Sequence, residues 1–466
     1  MKDAGPLLII TSPECHRKAV GAARSCGLEA ERVLILNSHN GSRDLVNVMS
    51  DESRNLIQDD NESDQMLHWE TVTDHETLTE RPICLVYSSG TTGTPKGVKI
   101  SNANLVYAAL AARHMLHDFK ARRRSADPLF SFEFRTLAHL PNAHIAGLQG
   151  YFVNTAACGG TTFWMPKFHF DDFLAYNRRL RITYFFSVPA IYLLIVKSPL
   201  VTDQFASLVH AVSGAAPLGA ELAVQVQSKL GCRISQTWGL SETTGSVTLL
   251  PWDRVVDNSS VSLLMPNTSL RIVGDDKTDA VGDTAGELLV KGPQVVRGYW
   301  KSPKATADSF TRDGLWLKTG DIGQMKNGLL YLVDRKKVRA HKSFEYAKVQ
   351  LIVDSKEMIK YKGLQIAPAE LEAVLQSHPL IRDAAVIGVR DTNAPGNELP
   401  RAYIVANAAE ISPTDVKDFV KDQLASHKQR RGGVEFVDSI PKSASGKILR
   451  RQLRSRLDHR TGRTKL

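Results

Sequence analysis

The sequence predicts an α/β chain: a large layered α/β N-terminal domain over residues 1–335, then a small α+β C-terminal domain over 336–466. Three observations carry this. Short apolar runs alternate with helix-period segments from the start, as in PLLIITS, HRKAVGAARSCGL and RVLILNS. The 466 residues, 42% apolar and 23% charged, have the size and composition of a globular chain of two or three domains. Near residue 336 the character changes to a compact set of two helices and two strands.

Taken in order, the opening reads as strand, helix, strand. Residues 38–80 are acidic and polar and read as a surface connection. RPICLVY (81–87) reads as a buried strand, five of its seven residues being apolar or aromatic. A loop at 88–101 leads into the helix pattern NANLVYAALAARHML. Near the end, IAPAELEAVLQSH reads as a helix, DAAVIGVRD and RAYIVAN as strands, and SPTDVKDFVKDQLASHK as a helix. In that last helix Ser412 is the N-cap and Pro413 the first helical residue.

Composition narrows the function. The net charge is +10, but residues 428–466 hold twelve Lys/Arg against three acids, so nine of the excess charges lie in that tail. A local basic tail without a zinc finger, zipper or aromatic RNA motif does not predict nucleic-acid binding. The cysteines (Cys15, Cys26, Cys84, Cys158, Cys232) have no paired spacing, which speaks against a disulfide framework or zinc site and for a reducing compartment. No apolar run is long enough for a membrane span.

The chemistry begins at YSSGTTGTPKGVKIS (87–101). Close-set glycines, hydroxyl residues and one lysine after a strand can wrap a polyphosphate with backbone N–H groups, hydroxyls and a cation. It is not a Walker A loop, because Lys96 is flanked by Pro95 and Gly97. The loop resembles the phosphate signature of adenylate-forming enzymes, the superfamily of acyl-CoA synthetases, luciferases and peptide-synthetase adenylation domains. Further signatures follow in the family's order: LPNAHIAGL (140–148), SGAAPLG (213–219), QTWGLSET (236–243), GELLVKGPQVVRGYW (286–300), WLKTGDIG (316–323), YKGLQIAPAELE (361–372) and PKSASGKILRR (441–451). The subgroup most resembled is the 4-coumarate–CoA ligase type.

The resemblance implies ATP, Mg²⁺ and CoA as cofactors and a small carboxylic acid as substrate. A carboxylate is a poor electrophile, so ATP converts it to an acyl-AMP, and cations and donors must meet the gathering charge. By that resemblance Ser88, Ser89, Gly90, Thr91, Thr92 and Lys96 hold the β- and γ-phosphates, and Glu242 holds Mg²⁺. Ala215, Gln236, Thr237, Trp238 and Ser241 form the nucleotide pocket, Trp238 standing for the family's usual tyrosine as a ring to stack on adenine. Asp321, with Arg335, takes the ribose hydroxyls, and Lys447 binds the acid carboxylate and α-phosphate. Lys360 and Gln365 match positions near the AMP. Lys337 matches the hinge, and Lys167, Lys362 and Gly363 match positions that contact CoA. His144 lines and gates the acid pocket, with Ala146, Gly150 and Gly239 beside it; small residues there predict a medium-chain, aryl-alkanoic or polyketide-type acid.

Two departures stand out. The family's hinge runs from Asp-Arg-x-Lys directly into Glu-x-Ile-Lys-Tyr-Lys-Gly, whereas here residues 338–356 intervene between Lys337 and Glu357. These nineteen residues, 57 nucleotides at three per codon, read as a translated intron, with a surface insertion as the rival. Family members also carry a segment ahead of the first strand seen here, so an N-terminally incomplete chain is expected. These departures keep two alternatives open beside the acid–CoA ligase: an adenylation-only enzyme that loads a carrier protein, and a catalytically impaired relative. The closing Thr-Lys-Leu resembles a peroxisomal address, so the expected location is peroxisome or cytoplasm.

Overall fold

The computed structural model describes residues 3–39, 42–47, 71–88, 95–254, 257–274, 276–335, 359–361, 364–366, 368–391, 398–423, 432–442, 448–450 and 452–455. The segment 338–356 lies outside them.

The opening forms as predicted: strand Ile9–Thr11, helix His16–Ser25 and strand Val33–His39, with the two strands parallel. The polar stretch 38–80 is more than a connection. Ser42–Asn47 pairs antiparallel with Val33–His39, and His75–Glu80 is a short helix whose cap Asp74 accepts from the Thr77 amide at 2.7 Å. Cross-strand backbone bonding stabilises a polar strand that apolar patterning cannot flag. The strand Pro82–Ser88 is likewise less buried than its composition suggests. Only Val86 is buried, while Ile83 and Tyr87 are exposed, because the strand belongs to a two-stranded antiparallel hairpin with one solvated face.

That hairpin shortens the presumed phosphate loop. Residues Lys96–Ser101 are themselves a strand, paired so that Ser88 sits opposite Lys96. Ser101 then caps the helix Asn102–Ala126 through a capping box: its hydroxyl accepts from the Asn104 amide, and Asn104 Oδ1 accepts from the Ser101 amide.

The main core lies on one face of a parallel sheet. Strands Tyr184–Ser187, His210–Ser213 and Arg233–Gln236 are in register, with His210–Ser213 in the middle. Side chains alternate between faces along each strand. Phe185, Ala211 and Ile234 pack with Leu137 against helices Phe170–Arg179, Pro189–Lys197 and Ala220–Leu230. Tyr184, Phe186 and Val212 face the opposite way. There, with Thr136 of the strand Arg135–Ala138, they line a cavity. A four-stranded antiparallel sheet follows: Ser269–Val273, Gly286–Lys291, Leu317–Lys326 and Leu329–Arg335.

The small C-terminal unit has the predicted elements. Strands Asp383–Arg390, Glu398–Val405 and Val434–Phe436 form one sheet, with helices Pro368–Ser377 and Pro413–Gln423. Ser412 caps as expected, its hydroxyl accepting from the Asp415 amide while Asp415 accepts from the Ser412 amide. Val386, Ile404, Leu371, Leu375, Val416 and Val420 are fully buried together. Arg450 in the last signature is a structural residue: its guanidinium donates to both Glu372 oxygens, at 2.7 and 2.6 Å.

Two buried histidines give the fold an acid limit. His139 Nδ1 donates to the Leu137 carbonyl at 2.8 Å, so Nε2 accepts from the Ser187 hydroxyl at 3.0 Å and the ring is neutral. Burial pushes its pKa down to about 4, and burial with Arg233 nearby pushes that of His210 down to about 3. The unfolded chain, with histidines near 6.5, therefore binds protons first on acidification. Stability is level above about pH 6.5 and falls below it, by roughly 2 kcal/mol per histidine at pH 5. Melting temperatures at pH 7.5 and 5.0 check this, with the double variant His139→Gln/His210→Gln expected to flatten the acid limb. An unchanged acid limb in that variant would refute the assignment.

Candidate active site

The site lies where chain segments leave the carboxyl ends of the parallel strands, the position at which open α/β sheets bind ligands. After Ser213, Gly214 lies against Phe186: a Cβ on Gly214 would come within 2.6 Å of that ring. Ala215 follows with φ +67°, a left-handed conformation that turns the chain over the cavity mouth. After Gln236 the chain continues as Thr237, Trp238 and Gly239. Gln236 is locked, its Oε1 accepting from the Leu218 amide at 2.9 Å and its Nε2 donating to Asn258 O at 2.6 Å.

Thr237 and Gly239 line the cavity, while Trp238 between them does not. Trp238 is only 5% exposed and packs with Val247, Val261, Leu288, Val290 and Leu330. Its indole N–H donates to Asp321 Oδ2 at 2.8 Å. The ring expected to offer a stacking surface is thus largely enclosed, and the structure gives it a task the sequence did not show: fixing Asp321. Asp321 is itself 9% exposed, and its amide donates to Thr319 Oγ1 at 3.1 Å.

A second group forms around Tyr299. Its hydroxyl donates to Glu242 Oε1 at 2.8 Å, and Lys96 Nζ stands 5.2 Å from its ring centre. The strand carrying Lys96 reaches this segment through backbone bonds, Lys99 N to Gly298 O and Trp300 N to Gly97 O. Burial and the Glu242 charge both raise the Tyr299 pKa, so its proton stays available to that carboxylate. Ser88, opposite Lys96 in the hairpin, and Ser241, next to Glu242 in the chain, are half-buried.

The cavity measures about 120 Å³. Ala108, Ala112 and Leu116, at helical spacing, form one wall, and Phe134, Tyr184, Phe186 and Trp252 supply aromatic surface. His144, Ala146 and Gly150 lie on it together. His144 caps the turn Ile145–Gly147, its Nδ1 accepting from the Ala146 amide at 3.2 Å, and burial lowers its pKa, favouring the neutral ring. A Cβ at Gly150 would meet nothing within 4 Å, so the missing side chain leaves free space. The segment Leu148–Asn154 is a π-helix, a wide turn that recurs at functional sites and here carries Gln149, Gly150 and Asn154 on the cavity.

Of the remaining expected residues, Lys167 is described and exposed, apart from the cavity lining. Arg335, Lys360 and Gln365 lie on strands, with only their backbone described. Ser89, Gly90, Thr91, Thr92, Lys337, Lys362, Gly363 and Lys447 fall outside the described residues. Sequence reading missed Tyr299, Gln149, Thr136 and the Ala108–Ala112–Leu116 wall. Tyr299 lies inside the signature 286–300, which marks its segment but not its role, and the wall has a signal in the apolar repeat every four positions along one helix.

Residues 1–300 match the family model for an AMP-binding enzyme, and residues 370–447 match that for the AMP-binding enzyme C-terminal domain. A protein of Emericella nidulans assigned as an acyl-coenzyme A synthetase is 47% identical over 457 residues, covering 98% of this chain and 77% of the relative. 4-Coumarate–CoA ligase 2 of Nicotiana tabacum is 36% identical over 387 residues, 80% of this chain and 65% of its own length. The crystal structure of ATP-bound MatB from Rhodopseudomonas palustris superposes with a TM-score of 0.75 at 25% identity, covering 97% of this chain and 80% of that one. The chain belongs to the AMP-binding enzyme family, within the adenylate-forming superfamily that includes acyl-CoA synthetases and 4-coumarate–CoA ligases.

Proposed function

We propose that the chain is an AMP-forming acid–CoA ligase for a medium-chain, aryl-alkanoic or polyketide-type acid. The observation that carries this is the back-to-back arrangement on one short segment. Thr237 and Gly239 wall an apolar cavity suited to an acid's carbon skeleton, while Trp238 between them holds the carboxylate that would receive a ribose. In the first step an acid oxygen attacks the α-phosphorus of ATP, the bond to the β-phosphate breaks, and pyrophosphate leaves with the negative charge. In the second, a CoA thiolate attacks the acyl carbon and AMP departs.

Lys96 and Glu242, both on Tyr299, suit the polyphosphate end. Mg²⁺ is held characteristically by one or two carboxylates together with substrate phosphates and water. Glu242 fits: one oxygen accepts a hydrogen bond from the Tyr299 hydroxyl, and the other accepts no bond from the described residues. Bound there, Mg²⁺ would neutralise the leaving group. His144, on the cavity lining and held neutral by burial, is proposed to line and gate the acid pocket. Lys447 is proposed for the acid carboxylate and α-phosphate, and Lys167, Lys362 and Gly363 for CoA.

The test is incubation of the purified chain with ATP, Mg²⁺, CoA and a panel of carboxylic acids, following AMP, pyrophosphate and thioester. Stoichiometric AMP, pyrophosphate and acyl-CoA are expected. ADP and phosphate would refute the reading, and acyl-AMP without thioester would favour loading of a carrier protein. Pocket size has its own test. Ala146→Tyr places a ring in the cavity and is expected to cut kcat/KM for the bulkiest accepted acids about tenfold or more relative to small ones. An unchanged acid ranking would overturn the assignment of Ala146 to the acid pocket.

A further inference from the structure

A second cleft, of about 410 Å³, shares no lining residue with the acid cavity. Of the described residues proposed for ATP and Mg²⁺, Lys96 alone lines it. Its other cations are Lys301 and Lys304, on the turn and short helix (Pro303–Ser309) that follow Trp300, and its one carboxylate is Asp308. Lys301 and Lys304 are exposed, and Lys96 is half-buried.

Among the described residues no carboxylate forms an ion pair with any of these three lysines. Arg122, Arg271 and Arg297 show the contrast, pairing with Asp253, Asp279 and Glu80 at 2.6, 2.8 and 3.1 Å. Two of the lysines rest on rings instead. Lys96 Nζ stands 5.2 Å from the centre of the Tyr299 ring and Lys301 Nζ 5.6 Å from that of Trp300. A ring face holds a cation in place without cancelling its charge. The backbone keeps the two together: the Trp300 amide donates to the Gly97 carbonyl at 2.7 Å, and Lys301 and Lys96 are the chain neighbours of those bonded residues. Three positive charges against the one of Asp308 leave the cleft a surplus of two. Ammonium groups act as compact point charges on phosphates, and in an exposed cleft such binding is weak and quickly reversed.

We propose that this cleft is a separate anion site that receives inorganic pyrophosphate, the leaving group of the first step, on its way to solvent. Lys96 belongs both to the group around Tyr299 and Glu242 and to the cleft, so the departing anion passes to Lys301 and Lys304 without losing contact with a cation. The proposal rests on the ligase reading above and adds to it a site that ATP itself does not fill. Free pyrophosphate and the β,γ-tail of ATP share one chemistry, so the test must separate them.

Calorimetry on the full chain measures the binding of sodium pyrophosphate and, separately, of ATP, at low and at raised salt. The variant Lys301→Asn/Lys304→Gln removes both charges. Asparagine tolerates the left-handed backbone of Lys301, φ +48°, and both residues are exposed, so the variant is expected to melt with the wild type. Pyrophosphate is expected to bind it about tenfold more weakly, while ATP affinity stays within about twofold. Added salt should weaken pyrophosphate binding more steeply in the wild type than in the variant. Lys301→Arg/Lys304→Arg keeps the charges and should keep the binding. In turnover, inhibition by added pyrophosphate should weaken about tenfold in the Asn/Gln variant. Equal pyrophosphate binding by wild type and variant overturns the proposal, as does a wild type that binds none. An equal loss of affinity for pyrophosphate and ATP also overturns it, by making the cleft part of the ATP seat. Any of these with normal AMP and thioester formation leaves the ligase reading intact. Absence of AMP and thioester with every acid overturns that reading and, with it, the origin assigned to the pyrophosphate.

Discussion

Gly239→Ala is expected to disable the protein. Gly239 pairs with Ser246 in a two-residue antiparallel ladder, and a Cβ built on it falls 1.9 Å from the Gly245 carbonyl oxygen and 2.8 Å from Ser246 Cα. Both obstacles are backbone, so no side-chain rotation relieves the clash. The ladder must open, and with it the wall formed by Thr237, Gly239, Gly245 and Ser246. The same movement pulls on Trp238, whose amide donates to Thr248 Oγ1 at 2.9 Å and whose indole holds Asp321. A loss of about 3 kcal/mol in stability is expected. Acid-dependent AMP formation should fall about a hundredfold or more in whatever folded protein remains, since misplacing reacting groups by an ångström costs that much. Melting temperature and AMP release report the two effects, and wild-type values for both would refute the account.

Asp321 separates a structural from a catalytic contribution. Asp321→Ala leaves the Trp238 indole N–H buried without this acceptor, a cost of about 1–3 kcal/mol. It also removes the carboxylate proposed for the ribose, so kcat/KM for ATP is expected to fall about 100- to 1000-fold. Asp321→Asn keeps an oxygen for the indole. It should recover most of the melting temperature but little of the ATP dependence, because an amide offers one acceptor atom where the carboxylate offers two. Were Asp321→Asn to use ATP as well as the wild type, Asp321 would be a structural residue alone.

These two positions show how unevenly the site was legible. Asp321 and Gly239 were both found by their place in ordered signatures, yet nothing in the signatures says that residues 83 apart share a hydrogen bond. The Gly-rich stretch 88–101 reads as a loop from the sequence, but its end from Lys96 onward belongs to a strand opposite Ser88. Its lysine therefore projects from a fixed ladder position. The polar segment 38–80 reads as a connection because the strand and helix it contains are stabilised by backbone pairing and an Asp74 cap rather than by apolar periodicity.

What the sequence determined by itself is what short-range chemistry encodes. The caps at Ser101 and Ser412, the strand–helix alternation, the two-unit order and the run of signatures all follow from residues within a few positions of one another. What only the tertiary structure decided is which distant side chains meet. Tyr299 joins Lys96 to Glu242, Trp238 reaches Asp321, and a helix, a π-turn and a parallel sheet enclose one cavity. Gln149 Oε1 and Thr136 Oγ1, buried with no hydrogen-bond partner among the described residues, belong to this second kind. Whether a polar atom is satisfied depends on everything packed around it, and that is a property of the folded chain rather than of any segment.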